Sequence, residues 1–186
     1  ITAHWIGYSE CCPGGRNQIT AACTLCAGRC RFAREGAAAR RPVLAGYQAS
    51  GAAPFLRGGP VAEPETVATA IRIGNPQSWE FAWAASRESG GWFAECSDAE
   101  ILAAQRLLAE SEGIFCEPAS AVSLAGALRD IRAGRIPEGS TVVCTVTGHG
   151  LKDPDTAIGQ SRAEPVTIEA ELEAVKRTIL AHLEGD

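Results

Sequence analysis

The chain has 186 residues, 46% of them apolar and 21% charged, with a formal net charge of −5. That balance suits a globular protein and argues against a nucleic-acid-binding surface. No apolar run approaches the length of a membrane-crossing helix, and no basic-then-apolar leader opens the chain, so the cytoplasm is the expected compartment.

The sequence contains no methionine and begins at Ile1. An initiator methionine is normally trimmed only before a small residue, so the chain reads as a fragment of a longer product. Residues 1–10 read as a short helix, with Thr2 in its first turn either as a cap or as a hydroxyl facing an anion. His4 and Trp5 read as packing residues. Residues 11–42 hold five of the eight cysteines, six arginines and a single acid, Glu35, with no sustained period. Uneven cysteine spacing without a secretion signal favours reduced thiols. Three readings compete for this atypical stretch: an exposed, disordered insertion, a reading-frame error, or a zinc knuckle on Cys23, Cys26 and Cys30 with Cys11 or Cys12 as fourth ligand. The second pair lacks regular spacing, which disfavours zinc. Phe32 is the only aromatic residue of the stretch, which disfavours RNA contact.

From residue 43 a regular pattern begins. Val43–Ser50 reads as a strand, followed by small residues from Gly51 suited to close packing, and then by loops at Arg57–Pro60 and Glu63–Thr66. Gln48 and Ser50 are polar groups that either line a site or pack. Across Ala68–Pro76, Thr69, Ile71 and Ile73 alternate with Ala70 and Arg72, the pattern of a short strand entering a turn. A helix is predicted from Pro76 to Gly90 with Trp79 and Trp83 packed inward, then a strand over Trp92–Cys96. Ser97 and Glu100 form a capping box ahead of a helix ended by Gly113. Ile114–Glu117 reads as a strand, and Pro118 opens a helix whose apolar face is Ala121, Leu124, Ala125, Leu128 and Ile131. Glu117 either caps that helix or sits at a site edge, and Cys116 reads as buried and inert.

Ser140–Thr147 is an apolar, β-branched run that breaks into Gly148 and Gly150, as a buried strand delivering a turn would. Thr147 ends it. In open α/β sheets ligands sit at such carboxyl ends, and the hydroxyl of Thr147 would project into that crevice. The plain alternative is a buried strand closed by a glycine turn. His149 reads as a turn residue or, less simply, as a base. The three histidines lack ligand spacing, so no metal is expected. A last helix carries Ile168, Leu172, Val175, Ile179 and Leu183 at helical spacing and should pack on the outside.

Three blocks carry a resemblance: Ala68-Thr-Ala-Ile-Arg-Ile-Gly-Asn-Pro76, Glu112-Gly-Ile-Phe-Cys-Glu-Pro-Ala-Ser-Ala121 and Thr147-Gly-His-Gly-Leu-Lys-Asp-Pro154. Their order and spacing resemble the carboxyl-terminal half of threonine synthases, from about residue 43 to about residue 160, with a shorter match over residues 1–9. The resemblance implies an α/β fold, part of the large domain of a fold type II (tryptophan synthase β-like) enzyme, with an open twisted sheet flanked by helices. It implies pyridoxal 5'-phosphate as cofactor and a parent reaction turning O-phospho-L-homoserine and water into L-threonine and phosphate. Residues 1–10 would follow an absent phosphate loop, and residues 43–186 would belong to the cofactor-binding domain. Thr147 would hydrogen-bond the pyridine nitrogen, with Gly148 beside it. Thr69, Ala70 and Ile71 would lie against a ring face, and Glu117 at the site edge. Neither Lys152 nor Lys176 matches the family's cofactor-bonding lysine, so the chain is expected to be inactive alone, a piece of a homodimeric parent. The rivals are a serine or threonine dehydratase of the same superfamily and a non-catalytic interaction or zinc-binding module.

Overall fold

A computed structural model of the chain describes residues 42–77, 79–160 and 166–183. The readings of the first helix, of Thr2, His4 and Trp5, and of the cysteine-rich stretch up to residue 41 lie outside the described residues. The chain divides into two compact units, Ile1–Pro154 and Asp155–Asp186.

The first unit is built on a β-α-β core. Strand β1, Ala45–Ala49, pairs in parallel with β2, Trp92–Cys96, in the register Ala45↔Trp92 to Ala49↔Cys96. A parallel pair needs a crossover. Here it runs through a short helix α1, Pro54–Arg57, a 3-10 turn at Thr69–Ile71, and helix α2, Trp79–Ser89. Trp79 and Trp83 pack as expected. Phe55 stacks on Trp79 and on Phe93, with ring centroids 4.6 and 4.4 Å apart, and Trp83 meets Phe93 edge-on.

Helix α3, Asp98–Glu112, starts on the predicted capping box: the Ser97 hydroxyl accepts from the Glu100 N–H, and the Glu100 carboxylate accepts from the Ser97 N–H. It ends at Gly113, whose φ of 66° is left-handed. Helix α4, Pro118–Arg132, lies on the sheet and on α3. Its closest approach is at Gly126, where an added Cβ would lie 2.1 Å from the Tyr47 ring. The core gathers Ala45, Tyr47, Ala49, Cys96, Ile101, Ala104, Cys116, Ala119, Ala121 and Val122. Many of these side chains are small, which lets backbone elements approach closely.

Three expected strands take another form. Thr69–Ile71 is a 3-10 turn. It is held from outside: the Thr66 hydroxyl and the Val67 N–H both donate to the Asp98 carboxylate, which ties the segment to the start of α3. Among the described residues Ile114–Glu117 joins no sheet, and Cys116 forms an antiparallel bridge with His149. The run 141–147 carries no ladder, and Val143 and Val146 are 41% and 39% exposed. β-branched residues favour strand backbone, but a ladder needs a neighbouring edge. Among the described residues none lies beside this run.

Among the described residues the second unit holds helix α6, Leu172–Leu183, and all but the first residue of helix α5, Pro154–Gln160. Leu172 and Ile179 are 68% and 54% exposed, so the predicted apolar stripe is open among the described residues.

Candidate functional site

Two of the blocks singled out in the sequence, the one around Glu117 and the one around Thr147, meet at the amino end of α4. Glu117 occupies the N-cap position and Pro118 the first helical position, where a missing N–H costs nothing. The segment before it runs antiparallel to the glycine turn: the Glu117 N–H donates to the Gly148 carbonyl at 2.9 Å, and the Gly150 N–H to the Phe115 carbonyl at 3.1 Å. The turn needs its glycines for space. A Cβ on Gly148 would lie 2.0 Å from the Glu117 carboxylate carbon, and one on Gly150 would lie 2.4 Å from the Phe115 ring. The group that comes close beside Thr147 is therefore Glu117.

Thr147 is solvent-exposed as a residue and does not turn into the hydrocarbon interior. Ser120, fully buried in the first turn of α4, fixes it. Its Oγ accepts from the Thr147 N–H at 3.1 Å and the Gly148 N–H at 3.0 Å, and lies 3.3 Å from the Thr147 hydroxyl. The sequence reading passed over Ser120. A serine three residues after the N-cap glutamate of a helix that opens on proline was the available signal.

Glu117 is 3% exposed and makes no side-chain cap. One carboxylate oxygen lies 3.4 Å from the Lys152 ammonium, and the other, Oε1, is buried without a hydrogen-bond partner. A buried, half-satisfied carboxylate costs stability and is seldom kept without a use. Ala70 and Ile71 are half-buried and pack against the cluster that includes Cys116, Ala119 and Val122. The 3-10 turn and Thr147 thus each contact α4.

Other candidates resolve into local structure. His149 caps the 3-10 turn Gly150–Lys152, its Nδ1 accepting the Leu151 N–H at 3.1 Å, and its ring meets Phe115 edge-on. Gln48 accepts the Phe55 N–H at 3.1 Å, and the Ser50 carbonyl accepts from Arg57. Cys116 is buried, and burial pushes its thiol up, as expected of an inert cysteine. Lys176 pairs with Glu173 at 2.9 Å. Among the described residues no cluster of metal-ligating side chains occurs.

A neutral hydroxyl at Thr147, rather than a carboxylate, suits a neutral heteroaromatic nitrogen, and Ala70 and Ile71 are of the apolar kind that suits a ring face; on this count the residue types fit a pyridine cofactor. The comparisons agree. Residues 20–148 match the family described as pyridoxal-phosphate dependent enzyme. The chain is 49% identical over 161 residues to a threonine synthase of Synechocystis, covering 87% of this chain and 36% of that protein. It is 47% identical over 171 residues to a threonine synthase of Mycobacterium leprae, covering 91% of this chain and 42% of that protein. It therefore spans less than half the length of these curated relatives. In fold it is similar to the crystal structure of O-ureido-L-serine synthase, with a TM-score of 0.61 at 16% identity over 88% of this chain and 45% of that one. With its parallel α/β core and the match over residues 20–148, the chain belongs to the pyridoxal-phosphate dependent enzymes, of fold type II.

Proposed function

We propose that this chain is the carboxyl-terminal, ring-nitrogen side of a threonine synthase, which converts O-phospho-L-homoserine and water to L-threonine and phosphate. The observation that carries the reading is Thr147, an exposed residue whose N–H and hydroxyl meet Ser120 at the amino end of α4. The 49% and 47% identities to threonine synthases support it.

When bound, pyridoxal phosphate supplies the electron sink for bond breaking next to the substrate amino group. Thr147 orients the ring through its nitrogen and, being neutral, does not enforce ring protonation. Ala70 and Ile71 offer apolar contact to a ring face and keep water from it. Gly148 and Glu117 set the height of Thr147 above α4. Neither lysine serves as the cofactor-bonding group: Lys152 is drawn to Glu117 and Lys176 to Glu173. That lysine is supplied from outside the chain, so the chain alone is inactive, and residues 43–186 form one part of the cofactor-binding domain of a homodimer. The cytoplasm is the proposed compartment. No helix among the described residues is long and apolar enough to cross a membrane.

The test joins this chain behind the amino-terminal part of the Synechocystis threonine synthase. The joined protein should release phosphate and threonine from O-phospho-L-homoserine only when pyridoxal phosphate is present. Conversion of serine or threonine to ammonia and a 2-oxo acid, without phosphate release, would make the protein a dehydratase. No turnover beside an active Synechocystis control would sink the reading.

A further inference from the structure

The Ser120 hydroxyl sits at a junction whose hydrogen-bond count can be closed. A serine hydroxyl has two acceptor lone pairs and one proton. Both lone pairs are used, one by the Thr147 N–H at 3.1 Å and one by the Gly148 N–H at 3.0 Å. The proton is what remains, and the Thr147 hydroxyl oxygen lies 3.3 Å away. Ser120 is fully buried, so no solvent competes for that proton. The Ser120 carbonyl takes no part in this count, being occupied by the Ser123 hydroxyl at 3.0 Å.

We infer that Ser120 is a positioning residue that donates its hydroxyl proton to Thr147 and so turns the Thr147 hydroxyl into an outward donor. The inference rests on the reading that Thr147 meets the pyridine nitrogen. With one lone pair of Thr147 Oγ1 filled from behind, its own proton points to the exposed side. A donor already accepting a hydrogen bond is a stronger donor, so the chain Ser120 to Thr147 to ligand is cooperative. The device selects a ligand atom with a free lone pair. An unprotonated ring nitrogen qualifies, whereas a protonated ring nitrogen or a ring carbon–hydrogen bond does not. One buried serine thus sets the protonation state of the ring that the site accepts.

The test is binding of two probes to the chain carried in the joined enzyme described above, pyridoxal 5'-phosphate and its 1-deaza analogue, in which a carbon–hydrogen group replaces the ring nitrogen. Binding is followed by the methyl signal of Thr147 in the unsubstituted chain and by tryptophan fluorescence in every variant. The unsubstituted chain should prefer the nitrogen-bearing probe by about three- to ten-fold, the effect of one hydrogen bond. Thr147→Val should abolish the preference. Ser120→Ala should remove most of it, and adding Ser120→Ala to Thr147→Val should change it no further. Ser120→Thr, which keeps the hydroxyl, should restore it. If the unsubstituted chain shows no preference, or Thr147→Val keeps it, the Thr147 reading falls and this inference with it. If Thr147→Val abolishes the preference but Ser120→Ala does not, only the role of Ser120 falls. Should Ser120→Ala fail to fold, the unsubstituted chain decides by NMR: a slowly exchanging Ser120 hydroxyl proton close to Thr147 upholds the inference. A Thr147 hydroxyl proton directed at Ser120 overturns it.

Discussion

Replacing Gly148 with alanine should cost about 1–3 kcal/mol of stability and displace the Thr147 hydroxyl. The added Cβ would lie 2.0 Å from both the carboxylate carbon and Oε1 of Glu117. A flexible carboxylate on the surface would swing away at little expense. This one is 3% exposed, beside the Lys152 ammonium, with the Glu117 N–H bonded to the Gly148 carbonyl itself. Relief must come either by forcing the carboxylate away from Lys152 or by lifting the glycine turn off α4. Lifting the turn breaks the pair of bonds from Thr147 and Gly148 to Ser120. The double variant Glu117→Ala, Gly148→Ala removes the obstacle and should recover much of the loss, a coupling that neither single change predicts. Urea unfolding of the two single variants and the double variant measures it. Additive losses would mean that Glu117 is not what Gly148 makes room for.

Replacing Asp130 with alanine should be the most damaging change remote from the site, costing about 2–4 kcal/mol by leaving buried donors unsatisfied. Asp130 is 5% exposed, and its Oδ2 accepts from the Tyr47 hydroxyl at 2.7 Å and from the Trp92 indole at 2.8 Å. Tyr47 belongs to β1, Trp92 to β2 and Asp130 to α4, so a single carboxylate fastens the helix to both strands. Arg135 lies over the Trp92 ring, 4.2 Å from its centroid, and the Arg129 guanidinium lies 3.6 Å from the other oxygen of the Asp130 carboxylate. Asp130→Asn keeps an acceptor and should lose about half as much. Tyr47 gives a second readout. Burial pushes its phenol up first, and the bond and charge of Asp130 push it further. Asp130→Ala should therefore let Tyr47 ionise at lower pH than in the parent, which an absorbance titration follows. An unchanged titration would contradict the assigned contact.

Where local chemistry decides structure, the sequence was readable. The capping box at Ser97, the glycine that ends α3, the proline that opens α4 and the strand Trp92–Cys96 all depend on a few consecutive residues, and each stands as expected. The misreadings share one cause. Thr69–Ile71 has strand-like alternation, yet Asp98, about thirty residues on, dictates its shape through Thr66 and Val67. The run before Gly148 has strand composition but no edge to join among the described residues. The Asp130 network spans 83 residues between Tyr47 and its acceptor, and no sequence period encodes that. At the site, the end of the 140–147 run and the strand-to-helix junction singled out Thr147 and Glu117, and the resemblance gave them expected roles, whereas Ser120 is marked only by the glycine turn folded back on α4.

The most direct measurement is the structure of the joined enzyme with pyridoxal phosphate bound. The account predicts the Thr147 Oγ1 within hydrogen-bond distance of the ring nitrogen, about 2.7–3.2 Å, with Ala70 and Ile71 against a ring face. A ring nitrogen facing another group, with Thr147 left in solvent, would contradict it.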